Sequence, residues 1–115
     1  MLVDSHSHLD APEFDSARDA VIARARVAGV TRQVVPAVSM AGWEKLRELC
    51  VAGSGLFPAY GLHPMYLDEH HETHLLSLRT WIDRERPVAV GECGLDFFVE
   101  GLDAERQSLF FDGQL

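Results

Sequence analysis

Four times along the chain a short apolar, partly β-branched run is followed by a stretch whose apolar residues recur at spacings of three and four. That alternation limits the fold more than any other feature of the sequence. In the first unit Leu2-Val3-Asp4 leads toward His6, and Phe14, Ala17, Val21, Ala25 and Ala28 then share one helical face. Asp15 is the expected N-cap of this helix and Gly29 its expected stop. The second unit runs from Thr31 to Val38, after which Ser39 is placed to cap a helix carrying Trp43, Leu46 and Cys50 on one side and ending at Gly53. Leu56 to Tyr60 forms the third apolar run, leading into Gly61-Leu62-His63-Pro64, a polar loop, and a helix marked by Leu75, Leu78 and Ile82. Pro87 to Glu92 is the fourth, followed by a helix expected to begin near Asp103 and to continue to Leu115.

Strands near residues 2–6, 31–38, 56–60 and 87–92 that alternate with helices imply βα units, right-handed crossovers and a parallel sheet. The fold class is α/β, four consecutive units forming a single body over residues 1–115. Length alone favours an open doubly wound sheet, because a closed barrel of eight units normally takes ~250 residues. Hydrophobic residues make up 47% of the chain and charged residues 24%, enough apolar material for a packed core.

The net charge of −8 argues against a protein that grips nucleic acid through a broad basic surface. A polyanion must instead be held locally, and a bound divalent cation is one local source of positive charge. No apolar run approaches the ~18 to 20 residues needed to cross a bilayer, and no basic segment precedes a hydrophobic one at the N-terminus, so the expected location is cytoplasmic. Cys50 and Cys93 stand in unrelated contexts, which fits a reducing compartment and neither a disulfide scaffold nor a Cys-based zinc site.

Residues two apart on a strand face the same way, so His6 and His8 project side by side from the end of the first strand. Asp4 has the same parity one pleat below, where it could orient this strand end. A bare His-x-His leaves two readings open, a metal pair and two ordinary polar residues. Glu92 tips the balance, since a carboxylate closing the apolar run Val88-Ala89-Val90-Gly91 is costly to bury without compensation, and a metal ion provides it. His6, His8 and Glu92 all lie at carboxyl ends of strands, where α/β folds bind ligands. His63 occupies the same level after the third strand and is a candidate to touch substrate. His70, His71 and His74 fall in a polar stretch with Asp68, Glu69 and Glu72 and are expected to be solvated. Cys93 is expected to face the covering helices as an inert thiol. Trp43, Phe110 and Phe111 read as core, and no phosphate-binding glycine loop of the Walker or dinucleotide type is present.

These motifs together resemble the TatD-type metal-dependent deoxyribonucleases of the amidohydrolase superfamily. The resemblance begins at Val3-Asp4-Ser5-His6-Ser7-His8-Leu9-Asp10 and continues through Gly61-Leu62-His63-Pro64 and Val90-Gly91-Glu92-Cys93-Gly94-Leu95-Asp96. It ends with Gln107, Phe111 and Gln114-Leu115. It implies the N-terminal half of a (β/α)8 barrel of the TIM type, against the open sheet that length favours. It also implies that His6 and His8 bind one divalent ion, that Glu92 shares two, and that His63 sits near the scissile group. The implied cofactors are two ions per complete site, Mg²⁺ or Mn²⁺, with Zn²⁺ a further candidate. The implied reaction is attack of an activated water on a phosphodiester, trimming nucleic acid, DNA in the first place, from the 3′ end.

The family's later ligands, two His and an Asp on the fifth, sixth and eighth strands, have no counterpart among these residues. A truncated chain that is inactive alone is therefore expected. The alternatives are a half-barrel completed by a second chain and a non-catalytic remnant or interaction module, and open strand edges favour association. Phosphoesterases of the polymerase and histidinol phosphatase type also open on His-x-His, but the Gly-Glu-Cys-Gly-Leu-Asp run counts against them.

Overall fold

A computed structural model describes residues 1–115. Its strands are β1 (Leu2–Asp4), β2 (Val30–Pro36), β3 (Leu56–Tyr60) and β4 (Ala89–Val90). Its helices are α1 (Arg18–Val27), α2 (Trp43–Leu49), α3 (Thr73–Glu85) and α4 (Ala104–Asp112). Short 3-10 turns at Pro12–Phe14, Met40–Gly42 and Pro64–Glu69 fill three of the connections.

All pairings are parallel and the strand order is β1-β2-β3-β4. A doubly wound sheet reverses its winding at a switch point, as in the order 3-2-1-4. Here each strand is laid beside its predecessor, always in the same direction. The sheet curls as half of a (β/α)8 barrel, and the open sheet favoured by length is overturned. Register is fixed by Val3 against Arg32, Val35 against Pro58, and Tyr60 against Val90, with one irregularity between Leu2 and Val3.

The core lies where the helices pack on the sheet. Val35, Tyr60 and Leu62 from the sheet side meet Trp43 and Leu46 of α2, Leu78 of α3 and Phe110 of α4, all buried. Trp43, Tyr60 and Trp81 form an aromatic cluster with ring centroids 5.7 to 6.3 Å apart, Tyr60 edge-on to both indoles. The Trp43 indole donates to the Gly61 carbonyl at 3.2 Å, so its one polar group is satisfied inside. Phe111, expected in the core, is only half-buried.

Helix boundaries depart from expectation for identifiable reasons. Pro12 opens a 3-10 turn that takes Phe14 out of α1, and Asp15 has helical backbone angles (φ −53°, ψ −38°) where an N-cap needs extended ones. Asp15 instead receives Arg18 at 2.6 Å and Lys45 at 3.0 Å, and Ala17 stands at the cap position. Ser39 is extended, yet it opens the turn Met40–Gly42 without a side-chain cap bond. Helix α2 begins only at Trp43 and ends at Leu49, ahead of Gly53. Asp103 does cap α4, its carboxylate accepting the Arg106 amide at 3.0 Å, but the helix stops at Asp112 and does not run on to Leu115.

The edge strands β1 and β4 each pair on one side only, and Leu2, Val3, Val88 and Val90 are exposed. No helix is long and apolar enough to cross a membrane.

Candidate metal centre

Strand β1 stops at Asp4, so His6 and His8 stand just beyond it. Alternation nevertheless survives, because the Ser7 amide donates to the Val34 carbonyl at 3.0 Å and extends the contact with β2. Asp4 holds the first of these residues, its carboxylate accepting the His6 amide at 3.0 Å. On the far side β4 is only two residues long, and Glu92 follows it after Gly91. The Gly91 amide donates to Tyr60 at 2.9 Å and the Glu92 amide to Ala37 at 3.1 Å, while the His63 amide reaches Val38 at 2.8 Å. Three connections are thereby stitched over the end of β2. Gly61 makes the approach of β3 and β4 feasible, because a Cβ there would lie 2.6 Å from the Gly91 carbonyl carbon.

The result is a cluster in which His6 Nε2, His8 Nε2 and one Glu92 oxygen all lie within 4.8 Å of one another. The two ring nitrogens are 3.1 Å apart. Glu92 Oε2 lies 3.1 Å from His6 Nε2 and 3.3 Å from His8 Nε2, is buried, and accepts no well-formed hydrogen bond. Nitrogen and oxygen ligands at about 2.0 to 2.2 Å from a divalent ion are themselves separated by roughly 3.0 to 3.5 Å along the edge of an octahedron or tetrahedron. The observed separations fall within that range, and a buried carboxylate oxygen facing two imidazole nitrogens suits a cation. The donor set, two imidazoles and a carboxylate, fits Zn²⁺ or Mn²⁺ and admits Mg²⁺ less readily.

His63 stands outside this trio and on the other carboxylate oxygen. Its Nδ1 accepts the Met65 amide at 3.0 Å, which places the ring proton on Nε2, 3.0 Å from Glu92 Oε1. Glu92 is thus divided, one oxygen held by His63 and the other turned to His6 and His8.

Of the histidines expected to be solvated, His71 is exposed and His74 half-buried, and His70 contradicts the expectation outright. His70 is 1% exposed, its Nε2 lies 2.8 Å from the His63 carbonyl oxygen, and its ring meets Phe110 edge-on. Burial pushes its pKa down. Its polar neighbours hid this single inward turn, which the 3-10 segment Pro64–Glu69 imposes. Cys93 is half-buried outside the cluster, its thiol pushed up by burial. Cys50 is pushed up to about 12, by burial first and then by the Asp10 carboxylate. Gln107 and Gln114, to which residue-by-residue reasoning attached no role, make side-chain bonds to the backbone of the two connections that carry Glu92 and His63. Their signal in the sequence is the spacing of Gln107, Phe111 and Gln114-Leu115 that carries the end of the family resemblance.

Parallel βα units curling in one direction, with polar side chains gathered at the strand carboxyl ends, define a protein of the (β/α)8-barrel class. Within that class the chain belongs to the TatD related DNase family, whose profile matches residues 3–115. It is 36% identical to the uncharacterized metal-dependent hydrolase YjjV of Escherichia coli K12, over 98% of this chain and 44% of that protein. The crystal structure of E. coli YjjV superposes with a TM-score of 0.91 over the same shares of the two chains. The 3′-5′ ssDNA/RNA exonuclease TatD of Pantoea vagans is 33% identical over 94% of this chain and 42% of its own length. A TatD family hydrolase of Entamoeba histolytica shares the fold at 20% identity, with a TM-score of 0.82. The chain spans under half the length of the relatives it matches.

Proposed function

We propose that this chain carries one side of the active centre of a divalent-metal-dependent nuclease, with His6, His8 and Glu92 as metal ligands and Glu92 and His63 as the groups nearest the reaction. The observation that supports this most is the trio itself, three potential ligand atoms spaced as ligands at the carboxyl ends of β1 and β4. A divalent ion there, Mg²⁺, Mn²⁺ or Zn²⁺, would supply Lewis-acid activation of water and of a phosphoryl oxygen. Asp4 orients the His6 backbone, and His63 keeps an N–H on Nε2 beside Glu92 Oε1, from which it can donate a hydrogen bond to a phosphoryl or leaving oxygen. The substrate class is nucleic acid, DNA first, cleaved from the 3′ end, by kinship with relatives that bear exonuclease names. The place of action is the cytoplasm.

Three protein ligands make a partial site, so the isolated chain binds metal weakly and turns over DNA poorly. The unpaired edges of β1 and β4 and the exposed Leu2, Val3, Val88 and Val90 favour a second reading for the isolated chain, a half-barrel completed by a further polypeptide or a second copy.

Titration calorimetry with Mn²⁺, paired with hydrolysis of single-stranded DNA, tests the proposal. Glu92→Ala and His6→Ala are expected to weaken Mn²⁺ binding on the order of 100-fold. DNA hydrolysis that persists in EDTA, or Mn²⁺ binding untouched by Glu92→Ala, would overturn it.

A further inference from the structure

We propose that Gln107 and Gln114 are positioning residues, which use helix α4 as a spacer to hold Glu92 and His63 at their observed separation. The proposal rests on the reading of His6, His8 and Glu92 as a cation site. Gln107 is 1% exposed and bonds one residue in both directions: its Oε1 accepts the Asp96 amide at 2.6 Å, and its Nε2 donates to the Asp96 carbonyl at 2.8 Å. Gln114, seven residues on and just past the end of α4, does the same to Leu62, accepting from its amide at 2.8 Å and donating to its carbonyl at 3.1 Å. A second donation to the Phe110 carbonyl, at 2.8 Å, ties the Gln114 amide to α4 itself.

The two clamped residues are not arbitrary. Leu62 directly precedes His63, and Asp96 anchors the irregular segment that starts at Glu92. Asp96 also folds that segment on itself, its carboxylate accepting the Phe98 and Val99 amides at 2.9 and 3.0 Å. Residues 91–103 have no sheet or helix ladder of their own. Without Gln107 the Asp96 amide and carbonyl would both lose their partner. A carboxamide presents an acceptor and a donor side by side and so matches the N–H and C=O of one residue, and asparagine is one methylene shorter. One clamp springs from α4 and the other from the turn that closes it, tied to the helix by the bond to the Phe110 carbonyl, so the spacing of Leu62 and Asp96 is set by α4. The 3.0 Å contact between His63 Nε2 and Glu92 Oε1 lies between the two clamps.

The test uses Gln107→Met and Gln114→Met, which keep side-chain volume but can clamp nothing, beside Leu46→Ala as a destabilised control that removes apolar core packing but none of the clamp hydrogen bonds. Two readouts are taken: Mn²⁺ affinity, and the ring ¹⁵N resonances of His63 in metal-free protein, which report the Nε2-protonated tautomer. Each Met variant is expected to bind Mn²⁺ about 10-fold more weakly, the scale seen when groups that orient a ligand are removed. Each is also expected to bring the two His63 ring resonances closer together, while Leu46→Ala melts earlier and changes neither readout. If the wild-type chain fails to bind Mn²⁺ but the His63 signals still respond to the Met variants and not to Leu46→Ala, the cation reading falls and the positioning role stands. If His6→Ala abolishes Mn²⁺ binding while both Met variants bind as the wild type does with unchanged His63 signals, the positioning role is wrong. It is equally wrong if Leu46→Ala shifts both readouts as far as the Met variants do.

Discussion

Replacing Gly61 with alanine should separate β3 from β4 at the site without altering any charged group. The added Cβ would lie 2.6, 2.8 and 2.9 Å from the carbonyl carbon, carbonyl oxygen and Cα of Gly91. All three are backbone atoms, so no side chain can swing aside. An ordinary carbon contact is about 3.5 Å, and relief therefore requires an opening of roughly 0.9 Å between the two strand ends. The bond from the Gly91 amide to Tyr60, now 2.9 Å, would pass beyond hydrogen-bonding range, and the 3.0 Å contact between His63 and Glu92 would lengthen with it. Overpacking of this kind costs about 1 to 3 kcal/mol. For a chain of this size that lowers the melting temperature by roughly 4 to 12 °C. Gly42→Ala is the matched control, because a Cβ there meets nothing within 4 Å, and its melting temperature should stay close to that of the wild type. Thermal unfolding by circular dichroism measures the first effect, and the His63 ring resonances measure the second. A Gly61→Ala protein that melts with the wild type and keeps the His63–Glu92 contact would refute the steric account of how these strands meet.

Other consequences are open to direct measurement. His70 has a pKa depressed by burial, so the unfolded chain takes up its proton before the folded one does; stability should be full above the ordinary histidine value near 6.5 and decline as pH falls below it. Denaturant melts from pH 8 to 5 would show the slope, and His70→Gln, which can still donate toward the His63 carbonyl, should flatten it. The Cys50 thiol, with a pKa pushed up to about 12, remains protonated in the folded chain while the unfolded thiol ionises near 9; stability contributed below that value is lost as pH rises through the interval. Iodoacetamide at pH 8.5 should accordingly label Cys50 much more slowly in native than in unfolded protein, and equal rates would contradict its burial. Arg106→Ala removes donors to the Leu67 and His70 carbonyls and a guanidinium over the Phe110 ring, and should cost about 1 to 3 kcal/mol in urea unfolding.

The regular part of this architecture could be read from residue spacing. Trp43 and Leu46 on one helix, and Leu75, Leu78 and Ile82 on another, announce the faces that meet the sheet, because burial of apolar stripes is a local pattern. The pairing of His6 with His8 was legible for a similar reason, although β1 ends before either, since the contact of Ser7 with Val34 keeps alternation going past the last ladder residue. Curl could not be read this way. Open and closed βα sheets share the same strand and helix signals, and it took the motif order to point to a barrel. The position of His70 was equally hidden, because one inward turn of a 3-10 segment leaves no period. Asp15 misled as a cap for the opposite reason: its residue type fits the role, but Arg18 and Lys45 claim its carboxylate.

The lateral order of the strands also bears on how the chain folds. Every strand pairs with the one before it, so each pairing closes a loop of one unit and none has to wait for a distant segment. Strand β2 is paired on both sides and carries Val35 at 0% exposure, whereas β4 has two residues, one neighbour and an exposed surface. Local opening should therefore start at β4 and reach β2 last. Native-state hydrogen exchange would find the Gly91 and Glu92 amides released well before that of Val35, and equal protection of all three would show a single cooperative unit. Glu92 belongs to a short edge segment, so the carboxylate of the trio can come loose and return while β2 and the core behind it remain folded.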